Sequence, residues 1–290
     1  MNAATESVSG RIESRLWQFH LTTAAREMAL RLSQAGFDEA LPVVDEVLTL
    51  EAEARRERRI GRLRKAADLP AAKTMATFNL ARLPTPLAER IRELARGEFL
   101  ERAVNVLAFG LPGVGKSHAA CALGHALLEQ GHSVLFRPAY QLVQELLAAK
   151  REVKLPRLLR KLDGFELLIV DDIGYVKQSP EEAEVLFMLI AERYESRSLL
   201  ITSNLVFSEW ERIFKEPMAT AAAIDRVVHH SVILEFDVLS FRSNEAAKTA
   251  PSKKPKGGDP ASTNHSSPPS VSPQDGGTLH KRRTKEIRNG

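Results

Sequence analysis

The 290-residue chain has a single cysteine, Cys121, so neither an internal disulfide framework nor a cysteine-based zinc site can be built from it, and Cys121 reads as a packing residue. No apolar run is long enough to span a bilayer, and the first residues lack the basic-then-apolar order of a signal peptide; a cytoplasmic protein with no membrane partner is expected. Aromatic residues make up only 6% of the chain, too few for an evident stacking platform for single-stranded nucleic acid. His118 and His125 stand seven apart and His229 and His230 are adjacent. Neither pair has a carboxylate or cysteine at metal-ligand spacing, so all four read as packing or surface residues.

Strong net charge is also missing, but the +4 total conceals an uneven distribution. Residues 248–290 hold nine Lys or Arg against three Asp or Glu among Pro, Ser, Gly and Asn, with almost nothing apolar to bury; they read as a disordered basic tail. A second concentration, from Arg55 to Lys73, has eight basic residues against two acidic ones. It is the better candidate for contact with an acidic polymer, chiefly through phosphates.

With 43% hydrophobic residues the chain can bury one sizeable core. Residues 1–68 read as helices: Ile12, Leu16 and Phe19, then Met28 and Leu32, fall near helical spacing, with Gly36 as a stop. A further helix carrying Leu41, Val44 and Leu48 runs on into the basic stretch. Thr85 and Pro86 read as N-cap and first residue of a helix over "LAERIRELARGEFLERA". From about residue 104, short apolar runs alternate with helices, the signature of a parallel sheet with crossover helices. The strand candidates are "VNVLAF", "SVLF", "ELLIV", "SLLITS" and "SVILEF"; between the third and fourth, Ser179, Pro180 and Glu182 form a capping box.

The first strand runs into "FGLPGVGKSHAACALG", where Gly110, Gly115, Lys116 and Ser117 fit the G-x-x-x-x-G-K-[ST] phosphate loop. Gly110, Leu111, Pro112, Gly113, Val114 and Gly115 would wrap an anion with inward N–H groups, while Lys116, Ser117 and His118 open the following helix, whose N-terminus adds partial positive charge. Lys116 suits the β and γ phosphates and Ser117 a magnesium ion. About 55 residues on, "LLIVDDIG" ends a buried strand in Asp171, suited to a second point on magnesium. Asp172, one residue past the strand end, either orients or deprotonates a water or is a solvated turn residue. Asn204, after "LLITS", stands at the carboxyl edge of the sheet, where it can bond both γ phosphate and attacking water. Arg226 either reaches the γ phosphate of a neighbouring subunit or pairs with a nearby acid; Arg242 either contacts phosphate in its own subunit or is an exposed charge.

With the phosphate loop, "LLIVDDIGYV", "AERYESRSLLITSNLVFSEWERIF" and "ATAAAIDRVVHHSVILEF" in one order, the chain closely resembles the IstB-type ATPases. These are helper proteins of insertion-sequence transposition, related to the helicase loader DnaC and members of the AAA+ class. The resemblance covers most of residues 10–245 and is most specific in "SNLVFSEW" and "DRVVHHS". It implies an α/β fold: a P-loop AAA+ core with a five-stranded parallel sheet, preceded by a small helical N-terminal domain. The expected division is 1–68 helical and DNA-contacting, 69–247 ATPase, and 248–290 tail.

The resemblance also assigns roles. Asp171 matches the magnesium-linked carboxylate, and Asp172 stands where the class usually carries the catalytic acid, often Glu. Asn204 matches the sensor, Arg226 the trans-acting finger and Arg242 the nucleotide-sensing arginine of the small C-terminal element. The implied protein binds ATP and Mg2+ and hydrolyses ATP. It forms a homo-oligomer on duplex DNA gripped partly by Arg55, Arg56, Arg58, Arg59, Arg62, Arg64 and Lys65, and it recruits or activates a cognate transposase. A helicase loader is the alternative within the class, and an ATP-binding scaffold with little turnover is another. A P-loop small-molecule phosphoryl transferase is the alternative outside it; that reading needs a lid and an acceptor pocket.

Overall fold

Helical spacing at the start of the chain produces a small three-helix unit in the computed structural model, which describes residues 7–174, 179–214 and 216–237. Ser7 caps α1 (Val8–Gln18) by accepting the Gly10 N–H, and α2 (Thr22–Gln34) follows a short turn. Ile12 and Leu16 of α1 are buried against Ala25 of α2 and Leu41 of the next helix, α3 (Leu41–Ala67). Asp45 of α3 accepts from both Arg11 and Arg15, which fixes the crossing of α1 on α3. At 27 residues α3 is about 40 Å long, so its first half serves this unit and its second half reaches the sheet. Ala67 is fully buried in the layer beneath the sheet, and the chain turns at Asp68 (φ 55°).

The next helix, α4 (Thr85–Leu94), is shorter than its sequence suggested, because Gly97 (φ 84°) breaks the run and Glu98–Arg102 form a 3-10 turn. Thr85 lies inside α4 and makes no capping bond; Pro84 holds the cap position.

From there strands and helices alternate: β1 (Asn105–Gly110), α5 (Lys116–Glu129), β2 (Val134–Pro138), α6 (Ala139–Arg151), α7 (Leu155–Asp163), β3 (Leu167–Ile173), α8 (Pro180–Arg193), β4 (Ser198–Ser203), α9 (Glu211–Phe214), α10 (Pro217–Val228) and β5 (Ser231–Phe236). The five strands form one parallel sheet in the order β2-β3-β4-β1-β5. Period-two alternation covers both faces. Val106 and Ala108 join α4 and α5 on one side, whereas Leu107 and Phe109 join α6, α8 and α10 on the other. The Ser179–Glu182 capping box is formed at the start of α8.

At the other end of α8, Arg193 is 1% exposed and donates to the carbonyls of Leu162, Phe165 and Ser198, tying the α7–β3 and α8–β4 corners together. The tail of residues 248–290 and Arg242 lie outside the described residues. Among the described residues no helix is long and apolar enough to cross a membrane.

Candidate functional site

A parallel sheet points its carboxyl ends at one edge, and three of them meet here. The loop after β1 turns through Gly113 (φ 84°) and Gly115 (φ 104°) into α5. Gly110 admits no side chain, since a Cβ there would lie 2.6 Å from the Phe236 carbonyl oxygen at the end of β5. The Lys116 ammonium is nearly buried and donates to the carbonyls of Gly110 (2.6 Å) and Leu111 (2.9 Å), which draws it across its own loop. Val114 faces the core rather than the loop mouth, and Leu111 is largely exposed.

A cavity of about 500 Å3 opens above this loop, within the range of small-molecule sites. Pro112, Gly113, Gly115, Lys116, Ser117 and His118 line it from the loop, Asp172 from β3 and Asn204 from the end of β4. Its far wall is a segment that sequence reasoning did not assign to a nucleotide: Lys73, Thr77, Phe78, Asn79 and Arg82. Lys73, counted with the basic stretch, thus belongs to this cavity. Thr77 Oγ1 lies 3.1 Å from His118 Nε2, and the Phe78 and His118 rings stand 5.1 Å apart. Burial lowers the His118 pKa and Lys73 lowers it further, against a hydrogen bond with the Thr74 backbone, so the site favours the neutral ring.

The two acids of "LLIVDDIG" differ in setting. β3 continues through Ile173, so Asp172 is within the strand rather than past it, at a bulge with φ 66°. Asp172 is exposed toward the cavity; Asp171 is half-buried behind it and accepts from Thr202 Oγ1 at 2.7 Å. Asn204 Oδ1 is buried and accepts no hydrogen bond among the described residues. A bound water would satisfy it by donating. Loop N–H groups with Lys116 fit a polyphosphate, and the oxygen donors Ser117 and Asp171 fit a hard cation such as Mg2+.

Arg226 is not among the cavity's lining residues. It stands on α10, donates to the Ala222 carbonyl and stacks over the Phe187 ring of α8. The fold also brings Glu195 to His229 and His230, a carboxylate neighbour that spacing did not reveal; all three are exposed, and they stand before β4 and β5, at the sheet edge opposite the loop.

In the basic half of α3, Arg55 and Arg58 pair with Glu51, and Arg55 covers the Phe19 ring. Arg56 and Arg59 donate to the carbonyls of Glu129 and Gly131 at the C-terminal end of α5, and Arg64 pairs with the Glu129 carboxylate. Cations at a helix C-terminus are favourable, so these contacts dock α3 on the helix that begins at Lys116. Arg62 and Lys65 have no ionic partner among the described residues.

The family profile described as IstB-like ATP binding protein matches residues 14–249. A protein of Sinorhizobium fredii, provisionally described as an insertion sequence ATP-binding protein, is 45% identical over 68% of this chain; the match covers 66% of that relative, just under two thirds of its length. The corresponding protein of the insertion sequence IS21 in Pseudomonas aeruginosa is 41% identical over 63% of this chain and 69% of its own. Among solved structures, the replication initiator DnaA bound to AMPPCP and single-stranded DNA is similar in fold, with a TM-score of 0.50 and 14% identity over 59% of this chain and 52% of that one.

Proposed function

The chain belongs to the family of IstB-like ATP-binding proteins, with an AAA+ core, and on that premise we propose that it is an ATP-hydrolysing helper of insertion-sequence transposition. In this reading it assembles on duplex DNA in the cytoplasm, recruits or activates the transposase of its element, and loosens after hydrolysis. The supporting observation is that Lys116, Ser117, Asp172 and Asn204 share one cavity from which Arg226 is absent. With Arg226 outside it, a cavity with acid, sensor and loop is in this reading half of a site, and a second copy supplies its Arg226.

When bound, Mg·ATP supplies the polarised γ phosphate and the leaving ADP. The loop N–H groups and Lys116 hold the phosphates, with Lys116 leaving the Gly110 and Leu111 carbonyls to do so. Ser117 and Asp171 would hold the cation. Asp172 accepts a proton from the attacking water, and Asn204 Oδ1 accepts a hydrogen bond from the same water, which orients it. Lys73, Thr77, Phe78, Asn79 and Arg82 enclose the remainder of the nucleotide.

The basic half of α3 is the proposed duplex contact. Arg62 and Lys65 meet phosphates directly, while Arg55, Arg56, Arg58, Arg59 and Arg64 exchange their present partners for phosphate oxygens. The insertion-sequence names of the relatives favour a transposase over a replicative helicase as the partner.

Electron microscopy of the full chain with duplex DNA, with and without ATP, tests the reading. ATP-dependent assemblies on DNA are expected for the wild type and are lost in Lys116→Ala; normal assembly by that variant overturns the proposal.

A further inference from the structure

The parallel pairing of β3 with β4 is out of step at one place. Val170 is opposite Ile201 and Ile173 is opposite Ser203, so Asp171 and Asp172 together face the single residue Thr202. An extra residue of this kind leaves a backbone N–H without its ladder acceptor and re-aims the neighbouring side chains. Asp172 occupies that position, with its backbone in the left-handed region at φ 66°.

Thr202 repairs the ladder with its side chain. It is fully buried; its Oγ1 accepts the Asp172 backbone N–H at 2.8 Å and donates its own proton to Asp171 Oδ1 at 2.7 Å. One hydroxyl therefore fixes the backbone of one acid and the carboxylate of the other. On the opposite face of β4, Ser203 Oγ donates to the Ile173 carbonyl and closes the bulge from behind. Asn204 follows directly, at the same cavity.

We infer that Thr202 is a positioning residue of the nucleotide site: it sets the rotation of the Asp171 carboxylate toward the cation and holds Asp172 turned out toward the attacking water. The inference rests on the roles proposed above for the two acids. A hydroxyl is required because the position must donate and accept at once. Valine matches the shape and does neither, whereas serine does both.

The test compares wild type, Thr202→Val and Thr202→Ser in three measurements: binding of N-methylanthraniloyl-ATP in EDTA, the Mg2+ concentration that half-saturates the change in that binding, and steady-state ATP hydrolysis. Partners that orient a metal's ligands typically change metal affinity or activity by about 10–100-fold when lost. Thr202→Val is therefore expected to bind nucleotide normally in EDTA, to need ~10-fold or more Mg2+, and to lower kcat by at least ~10-fold with little change in KM. Thr202→Ser restores both to within about threefold, a rescue that lost packing would not give.

Wild-type Mg2+ dependence and rate in Thr202→Val overturn the inference. If the wild type binds Mg·ATP without hydrolysing it, the ATPase reading fails, and the Mg2+ arm alone still decides the role of Thr202. Should Thr202→Val not fold, Thr202→Ala removes the hydroxyl without placing a methyl against Asp171 and carries the same readouts.

Discussion

The Arg226 guanidinium lies 5.0 Å from the centroid of the Phe187 ring, a cation–π contact that holds the charge between α10 and α8. Its hydrogen bond to the Ala222 carbonyl keeps the side chain along its own helix. The arginine is thus presented as a preformed group, outside the cavity of its own chain. Arg226→Ala is expected to leave ATP affinity within about twofold and to lower kcat by roughly three decades, the scale of a lost arginine finger. Equilibrium nucleotide binding and steady-state hydrolysis check this; unchanged hydrolysis in the assembled protein removes Arg226 from the site.

A second expectation concerns α3. Arg62 and Lys65 have no ionic partner among the described residues, whereas Arg56, Arg59 and Arg64 hold α5. The double variant Arg62→Ala/Lys65→Ala should weaken duplex binding irrespective of sequence and reduce the slope of log K against log salt by about 2, without lowering thermal stability. Fluorescence anisotropy between low and physiological salt measures the slope. An unchanged slope places the DNA elsewhere.

The pH dependence of stability should carry the mark of Glu166. Burial favours its neutral form, but donation from His132 and from the backbone and hydroxyl of Ser133 outweighs that, and the net shift is downward. The folded state therefore binds fewer protons here than the unfolded chain does. The stabilisation is complete above the unfolded glutamate value of about 4.3 and is lost as pH falls through the lower folded value. Urea midpoints for the wild type should drop across that acid window, and Glu166→Gln should start lower at pH 7 and fall less. Parallel curves for the two proteins contradict the assignment.

Burial pushes the Cys121 thiol up to about 12, so the native protein holds it as an unreactive thiol in α5. An aromatic disulfide reagent at pH 8 should not label it until the chain unfolds, and the labelling rate should fall further with Mg·ATP. Rapid stoichiometric labelling of the native protein would show that α5 opens locally.

Local signals made part of this site legible in sequence. The glycine turns between β1 and α5, the five strands and the capping box at Ser179 depend on near neighbours, and each is formed. The far wall of the cavity was not legible, because Lys73, Thr77, Phe78, Asn79 and Arg82 carry no periodic pattern and acquire their place only when α3 docks on α5. Thr202 was hidden for a related reason: its role follows from a one-residue slip between strands that only the paired register shows. The six arginines and Lys65 of α3 looked equivalent in sequence, and packing divides them, since Arg56, Arg59 and Arg64 face the end of α5. The long helix expected after Pro86 failed at Gly97, where a left-handed turn outweighed an otherwise helical run.

The central claim is that the nucleotide site is shared between copies, and mixing two inactive variants tests it most directly. Lys116→Ala keeps an intact Arg226 but cannot hold ATP; Arg226→Ala holds ATP but has no finger to lend. Mixed in equal amounts with duplex DNA, the two should regain ATP hydrolysis well above the sum of their separate rates. A mixture no faster than that sum would contradict the account.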